Sequence, residues 1–484
     1  MLKRTERTLA QRQVRRQSTH HAGTRLFPDQ PEGFDSLPQV EHIVILMMEN
    51  HSYDNYLGTL EGRGDGFPVD GQGAPVDPHA NRDEQGALVG PRHLGSTQQQ
   101  GGVPTQSWHA SHLQWDDGAC DGFPRSIEVT VPGHKNEAST SMGYWNGADL
   151  PFYHGLAHTF PLATRWFSSC LGPTFPNRRF LISGTAHGLI DDVMATLYDE
   201  PPAGTIFDLL TAHGISWANY HNKPRWKTLA KSIFGRRGFR IGRRVLPYLA
   251  GIIPKLEQFV VGTYQFTADM YPRELLRTYN HALSIKKFFS AARDGTLPSF
   301  CIVDPDFGKW SEENPQDVQV GEGFSAAVIQ AVMDGPGWGQ TLLIWLYDEH
   351  GGYYDHVPPP AAPEPDDVPG TSLAERFPIL RRLPFLKKPL AELDVADAGP
   401  RTYDRYGFRV PAVIVSPYAR RDYVSDQIYD HTSILKLVEQ KWNLPSLTNR
   451  DAAAAAPLDA LDFLVPAPFL APPVLPSPTR PWTL

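Results

Sequence analysis

Cysteine is scarce: Cys120, Cys170 and Cys301 are the only three in 484 residues, and no CxxC spacing joins them. That excludes a disulfide framework and a cysteine-based zinc or redox motif. Long apolar runs are missing as well. Nothing approaches the ~18 residues that cross a bilayer, and the longest stretches, IVILMM and TLLIWLY, have the length of buried strands. Positive charge is not in excess: 45 Lys and Arg against 53 Asp and Glu give a net charge of −8, so no nucleic-acid partner is expected. The basic start, MLKRTERTLAQRQVRRQ, is followed by no apolar segment. No secretion signal is read, and a cytoplasmic or peripheral membrane location is expected.

What is present is a globular composition, 41% hydrophobic and 20% charged, which excludes wholesale disorder. The 41 glycines and 45 prolines imply long shaped loops over a compact scaffold. From Val40 an apolar run stops abruptly at Glu49 and Asn50. From Thr341 another stops at Asp348, Glu349, His350 and a Gly-Gly pair. RVPAVIVSPYA, from Arg409, is a third, and GEGFSAAVIQAVMDG has a helical pattern. Continuous apolar runs separated by helices describe buried strands of a parallel sheet, so an α/β fold is predicted. Ligands in such folds lie beyond the carboxyl ends of the strands. Two runs ending in acidic and amide groups therefore point to one shared site.

The chain divides into a basic N-terminal extension (1–38), a main domain (39–456) with insertions near 61–105, 223–255 and 357–402, and a Pro-rich tail (457–484) expected to wrap the surface in extended form. The insertion at 223–255 carries ten Lys or Arg and no Asp or Glu, interleaved with Trp226, Phe234, Phe239, Ile241 and Leu246. It reads equally as an amphipathic cap for an anionic membrane or substrate and as a solvated basic face.

Glu49, Asn50, Asp348 and Glu349 suit a hard divalent cation, which takes oxygen ligands; such pairs also occur as solvated turn residues. Thr174 stands between Pro173 and the Pro176, Asn177, Arg178 cluster. The following FLISGTA is expected to start a helix that offers backbone N–H groups to an anion. Thr174 reads either as a helix cap or as a phosphoryl acceptor activated by a metal or base.

MMENHSYDNYLG, SHLQWDDGACDGF, MGYWNGADLPFYHGLA, LGPTFPNR, SEENPQDVQVGEGF, YDEHGGYYDHVPPP and DHTSILKLVEQKW occur in this order. Together they resemble the bacterial phosphoesterase family that contains phosphatidylcholine-type phospholipases C and acid phosphatases, from about Val40 to Pro445. The resemblance implies the alkaline-phosphatase-like fold, a central, mostly parallel sheet flanked by helices. It also implies a divalent metal held by Glu49, Asn50, Thr174, Asp348 and Glu349. Thr174 would be the nucleophile, passing through a phosphothreonine in the hydrolysis of a phosphoric ester or phospholipid.

Two departures stand out: Gln106 and Asn314 occupy positions where family members often carry histidines expected near the phosphate, as hydrogen-bond donors or as the acid for the leaving oxygen. His109, His112, His350, His356 and His431 are the candidates to replace them, each also readable as a structural histidine. Asn177, Arg178 and Asn314 are candidate phosphate contacts. Tyr53, Trp108, Trp115, Tyr353 and Tyr354 read as core or as the lining of a substrate mouth. The competing function is a non-catalytic binder of phospholipid or phosphorylated ligands, which the two amides favour.

Overall fold

In a computed structural model, residues 23–192, 200–222, 267–271, 279–372 and 387–483 are described, apart from 102, 132 and 134, together with 375, 378 and 382. The basic insertion at 223–255 falls outside the described residues, and the N-terminal extension is described only from residue 23.

The strands are β1 His42–Met48, β2 Arg92–His93, β3 Gly143–Tyr144, β4 Leu162–Ala163, β5 Trp217–His221, β6 Ala282–Ser284, β7 Phe300–Val303, β8 Thr341–Tyr347, β9 Ala412–Val415 and β10 Val424–Ser425. Eight of them form one sheet in the order β10-β4-β9-β8-β1-β7-β5-β6. Every neighbouring pair is parallel except the two that β9 makes, with β4 and with β8. The third apolar run is thus a buried strand, but it runs against its neighbours. Burial on both faces makes a strand apolar throughout whatever its direction, so composition did not distinguish the two.

β1 and β8 are central because Ile43–Met48 and Leu342–Tyr347 have no solvent exposure. Burying each such side chain is worth ~1.5–3 kcal/mol. Their register is decisive for the site. Met48 lies opposite Tyr347, so Glu49 and Asp348 leave the same edge of the sheet side by side. On the other flank β7 pairs Val303 with Leu46, which brings Asp304 to that edge as well.

Six helices matter below: α1 Tyr53–Leu57, α2 Trp108–Trp115, α3 Thr174–Ser183, α4 Ile285–Asp294, α5 Val318–Met333 and α6 Thr432–Lys441. α5 matches the helical pattern read from Gly321 but starts earlier, where the Asp317 side chain accepts from the Gln319 N–H. α3 also differs from expectation. It begins at Thr174 itself, after Pro173, and FLIS forms its last turns rather than its first. Gly184, at φ 72°, ends it in the left-handed region that glycine tolerates. All ten residues of α3 are buried.

The 61–105 stretch contributes β2, which pairs with β3. The 357–402 stretch contains a helix at Lys387–Ala396. The tail forms no helix or strand among its described residues, yet it is anchored: Phe469 is buried, and Trp482 stacks on Phe289 of α4 at 5.3 Å.

Candidate active site

Four chain segments meet at the carboxyl edge of the sheet. Glu49 and Asn50 follow β1, Asp348 and Glu349 follow β8, Asp304 follows β7, and Thr174 opens α3. All are buried. Asn50 holds φ 71°, a left-handed conformation that asparagine adopts more readily than most residues. The turn after Glu349 passes directly against it: a Cβ on Gly351 would sit 1.9 Å from the Asn50 carbonyl oxygen. That contact is the physical reason for glycine there. The Gly351 N–H donates to Glu349 Oε2 at 2.7 Å and holds that carboxylate.

Thr174 Oγ1 donates to Asn50 Oδ1 at 3.3 Å, which joins the α3 hydroxyl to the β1 end. The next amide, Phe175 N–H, donates to Asp192 Oδ1 at 2.8 Å. A carboxylate thus already takes one of the donors that a helix N-terminus offers to an anion.

Arg178 lies under the cluster. Its Nε donates to Asp348 Oδ2 and its Nη1 to Asp304 Oδ1, both at 2.8 Å, and Nη2 stands 3.7 Å from Glu49 Oε1. Asp304 is itself held by Thr267 and Asn219. One guanidinium does not neutralise four buried carboxyls. Burial pushes the carboxyls of Glu49, Asp348 and Glu349 above their usual range; Glu313 and Asp348 add to the rise at Glu49, and Asp348 to that at Glu349, while Arg178 opposes it at Glu49 and Asp348.

Among the described residues no three His, Cys, Asp or Glu side chains form a ready metal cage. The donor set still suits a divalent cation. It consists of hard oxygens, carboxylate, amide and hydroxyl, and Glu49 Oε2 is buried with no hydrogen-bond partner.

The candidate phosphate contacts fare differently. Arg178 is fully buried and committed to carboxylates, so it acts as their counter-ion. Asn177 braces the loop before Thr174: its Oδ1 accepts from the Cys170 N–H, and its Nδ2 donates to the Gly172 and Pro173 carbonyls. Asn314 donates to the Pro104 carbonyl at 3.2 Å.

Each candidate histidine has at least one ring nitrogen engaged, though His431 Nδ1 is buried without a hydrogen-bond partner. His350 Nε2 pairs with Gln114 Oε1 at 2.6 Å, and its Nδ1 lies 3.4 Å from Glu349 Oε2. His431 Nε2 donates to the Asp348 carbonyl at 2.6 Å. His112 Nδ1 bonds the Trp108 carbonyl, one turn back in α2, and His109 Nδ1 bonds the Val395 carbonyl. Burial lowers His112 and His431 to about 4 and His350 to about 3, so these three are neutral at pH 7. His356 belongs to a separate charge network with Asp54 at 2.6 Å and Arg409 at 3.4 Å. Burial pulls its pKa down, but Asp54 and Asp355 together more than compensate, and the net shift is upward. Gln106 is half-buried, two residues before α2.

Tyr53, Trp108, Tyr353 and Tyr354 are buried in packed clusters, which places them in the core; Trp115 is half-buried beneath Arg405, whose guanidinium lies 4.3 Å from its ring centre.

Sequence reasoning missed Asp304, Asp192 and Glu313. Asp304 had a signal, an acidic residue closing an apolar run, but FCIV is only four residues long. Asp192 had none. Glu313 adds to the negative field at Glu49, Asp192 and Glu349, and its neighbour Glu312 anchors the segment by accepting from the hydroxyls of Tyr56, Tyr153 and Tyr347.

Residues 40–445 match the model of the Phosphoesterase family. The chain is 29% identical to phospholipase C B of Mycobacterium tuberculosis over 476 residues, covering 92% of this chain and 80% of that protein. It is 27% identical to non-specific phospholipase C6 of Arabidopsis thaliana, covering 88% of this chain and 72% of that one. Among solved structures, a protein in the alkaline phosphatase superfamily from Vibrio parahaemolyticus aligns over 94% of this chain and 80% of its own, at 12% identity and a TM-score of 0.34. With a family model matched across most of its length, the chain belongs to the phosphoesterase family.

Proposed function

We propose that this phosphoesterase hydrolyses phosphoric esters through a covalent phosphothreonine at Thr174, with a divalent cation held by Glu49, Asn50, Thr174, Asp348 and Glu349. The observation that carries the reading is the hydroxyl at the first position of a buried helix, 3.3 Å from Asn50 Oδ1 and adjoining the carboxylates that end β1 and β8. The chemistry a divalent ion supplies in such a donor set is neutralisation of phosphoryl oxygens and a lowered proton affinity for a ligating hydroxyl.

The chain's own residues do the rest. Asn50 orients the Thr174 hydroxyl. Oγ1 attacks phosphorus as the ester oxygen leaves, and water then releases the phosphoryl group from Thr174. Arg178 keeps Asp348 in place. The relatives named phospholipase C make a phospholipid the first substrate class to test.

Metal analysis of the purified protein, with turnover of p-nitrophenyl phosphate and p-nitrophenylphosphorylcholine, tests the proposal. Bound metal and turnover of at least one ester, both abolished by chelation, are expected. Metal bound with neither ester turned over would favour the binder of phosphorylated ligands, the reading to which Gln106 and Asn314 lend support.

A further inference from the structure

A second buried charge cluster joins the segments that follow the two carboxylate-bearing turns. Asp54 lies four residues past Asn50, and Asp355 six past Glu349. The two segments are bonded to each other. The Asp54 N–H donates to Asp355 Oδ2 at 3.3 Å, the His356 N–H to Asp54 Oδ2 at 2.7 Å, and Ser52 Oγ to the Tyr354 carbonyl at 2.7 Å. Arg409, fully buried just before β9, joins both, its Nε donating to Asp355 Oδ1 at 2.8 Å and its Nη2 to Asp54 Oδ1 at 3.1 Å.

The charges around Arg409 do not balance without a proton. Asp54 and Asp355 are buried, and Asp65 Oδ2 accepts from Nη1 at 3.2 Å. Against these three carboxylates stand Arg409 and, on the more exposed side, Arg165, 3.1 Å from the same Asp65 oxygen. Burial pushes the Asp355 carboxyl up to about 6; Arg409 and His356 oppose the rise, and Asp54 adds to it.

His356 completes the set. Its Nδ1 lies 2.6 Å from Asp54 Oδ2 and 3.4 Å from Arg409 Nη2, and its Nε2 lies 3.8 Å from Asp65 Oδ1. His79 Nε2 meets the His356 carbonyl at 2.8 Å, and the Tyr53 ring lies 4.4 Å from the Arg409 guanidinium. An ionised carboxylate only accepts, so Nδ1 carries a hydrogen in either charge state. Protonation at Nε2 adds the missing positive charge, and the ring, 12% exposed, can take that proton from solvent.

We propose that His356 is a positioning residue: protonated, it locks the turn after β8 to α1 and so holds Asp348 and Glu349 in register with Glu49 and Asn50. Its consequence for a bound cation rests on the metal-site reading above. Burial lowers the pKa of His356, and Asp54 and Asp355 raise it further, to a net value above 6.5. The lock is therefore complete below about pH 6.5 and is released as pH rises through the raised value.

Amide hydrogen exchange on the metal-free full chain, at pH 6.5 and pH 9 and corrected for intrinsic rates, compares wild type with His356→Asn, which keeps an N–H donor without charge. Peptides covering 49–57 and 348–357 should exchange about tenfold faster in the variant at pH 6.5, since charge-assisted bonds are roughly twice as strong as neutral ones, and alike at pH 9. Equal exchange at pH 6.5, or the same excess at both pH values, would overturn the lock. Should the variant not fold, wild type alone decides. Exchange at histidine Cε1, read by mass spectrometry, gives the His356 pKa with and without saturating Mn2+. If the locked form binds the cation about tenfold tighter, reciprocity requires Mn2+ to raise that pKa by about one unit, whereas the ion's own charge would lower it. An unchanged or lowered pKa would overturn the proposal. If Mn2+ does not bind, the metal reading fails separately, and the amide exchange still decides the lock.

Discussion

Replacing Arg178 by methionine keeps most of the aliphatic stem and removes the guanidinium. The wild-type group makes charge-assisted bonds of 2.8 Å to Asp348 and to Asp304 and stands 3.7 Å from Glu49. Removing one partner of a buried ion pair costs ~3–5 kcal/mol, because the other charge stays behind without compensation. Here several carboxyls are left, though Thr267 and Asn219 still satisfy Asp304. The expected loss is about 3–5 kcal/mol in cation-free protein, a large share of the ~5–15 kcal/mol typical of a folded domain. A divalent cation should restore part of it. At a hundred times Kd a ligand adds ~2.7 kcal/mol to any protein that binds it only when folded. The variant, short of positive charge, should gain more than wild type at equal concentration. Equilibrium urea unfolding with and without Mg2+, Mn2+ or Ca2+ measures both effects. A loss below ~1 kcal/mol, or no greater cation stabilisation in the variant, would refute the counter-ion role.

Thr174→Ala and Thr174→Val should abolish ester turnover while unfolding like wild type; a substantial residual rate in either would remove Thr174 from the nucleophile role. Glu49→Gln and Asp348→Asn should each lose bound metal by elemental analysis, and stoichiometric metal in both would mean another ligand set. Glu312 has its pKa raised by burial from 4.5 to about 8, so the folded chain holds that proton more tightly. Its contribution is full below about pH 4.5 and is lost as pH rises toward 8; urea stability should therefore fall less between pH 5 and 8 in Glu312→Gln than in wild type, and parallel profiles would contradict this. In the basic insertion, outside the described residues, replacing Arg236, Arg237, Arg243 and Arg244 by Ser should weaken sedimentation with anionic vesicles by roughly 1 kcal/mol per residue that reaches the surface. Equal binding by the variant would leave that segment a solvated insertion.

The strand ends were legible in the sequence because burial on both faces forces an unbroken apolar run, and an acidic residue ending such a run marks the carboxyl edge of the sheet. β1 and β8 carried that signal at full length, and their register then placed Glu49 beside Asp348. β7 carried it in four residues, too few to stand out, and Asp304 went unnoticed. Strand direction left no trace in composition, so β9 was read as parallel. Side-chain commitments were equally invisible. Arg178 stands in the cluster that follows the nucleophile and reads from sequence as a candidate phosphate contact; only the fold brings Asp304 and Asp348 to the same guanidinium. Asp192 meets Phe175 through a turn that no periodicity announces.

The central claim is a phosphoryl group carried by Thr174. Mixing the metal-loaded protein with p-nitrophenylphosphorylcholine, quenching in acid within the first turnover and sequencing the peptides by mass spectrometry tests it most directly. The account predicts phosphorylcholine on Thr174 in wild type and on no residue in Thr174→Ala. Rapid turnover with no covalent adduct at any quench time, or an adduct on another residue, would contradict it.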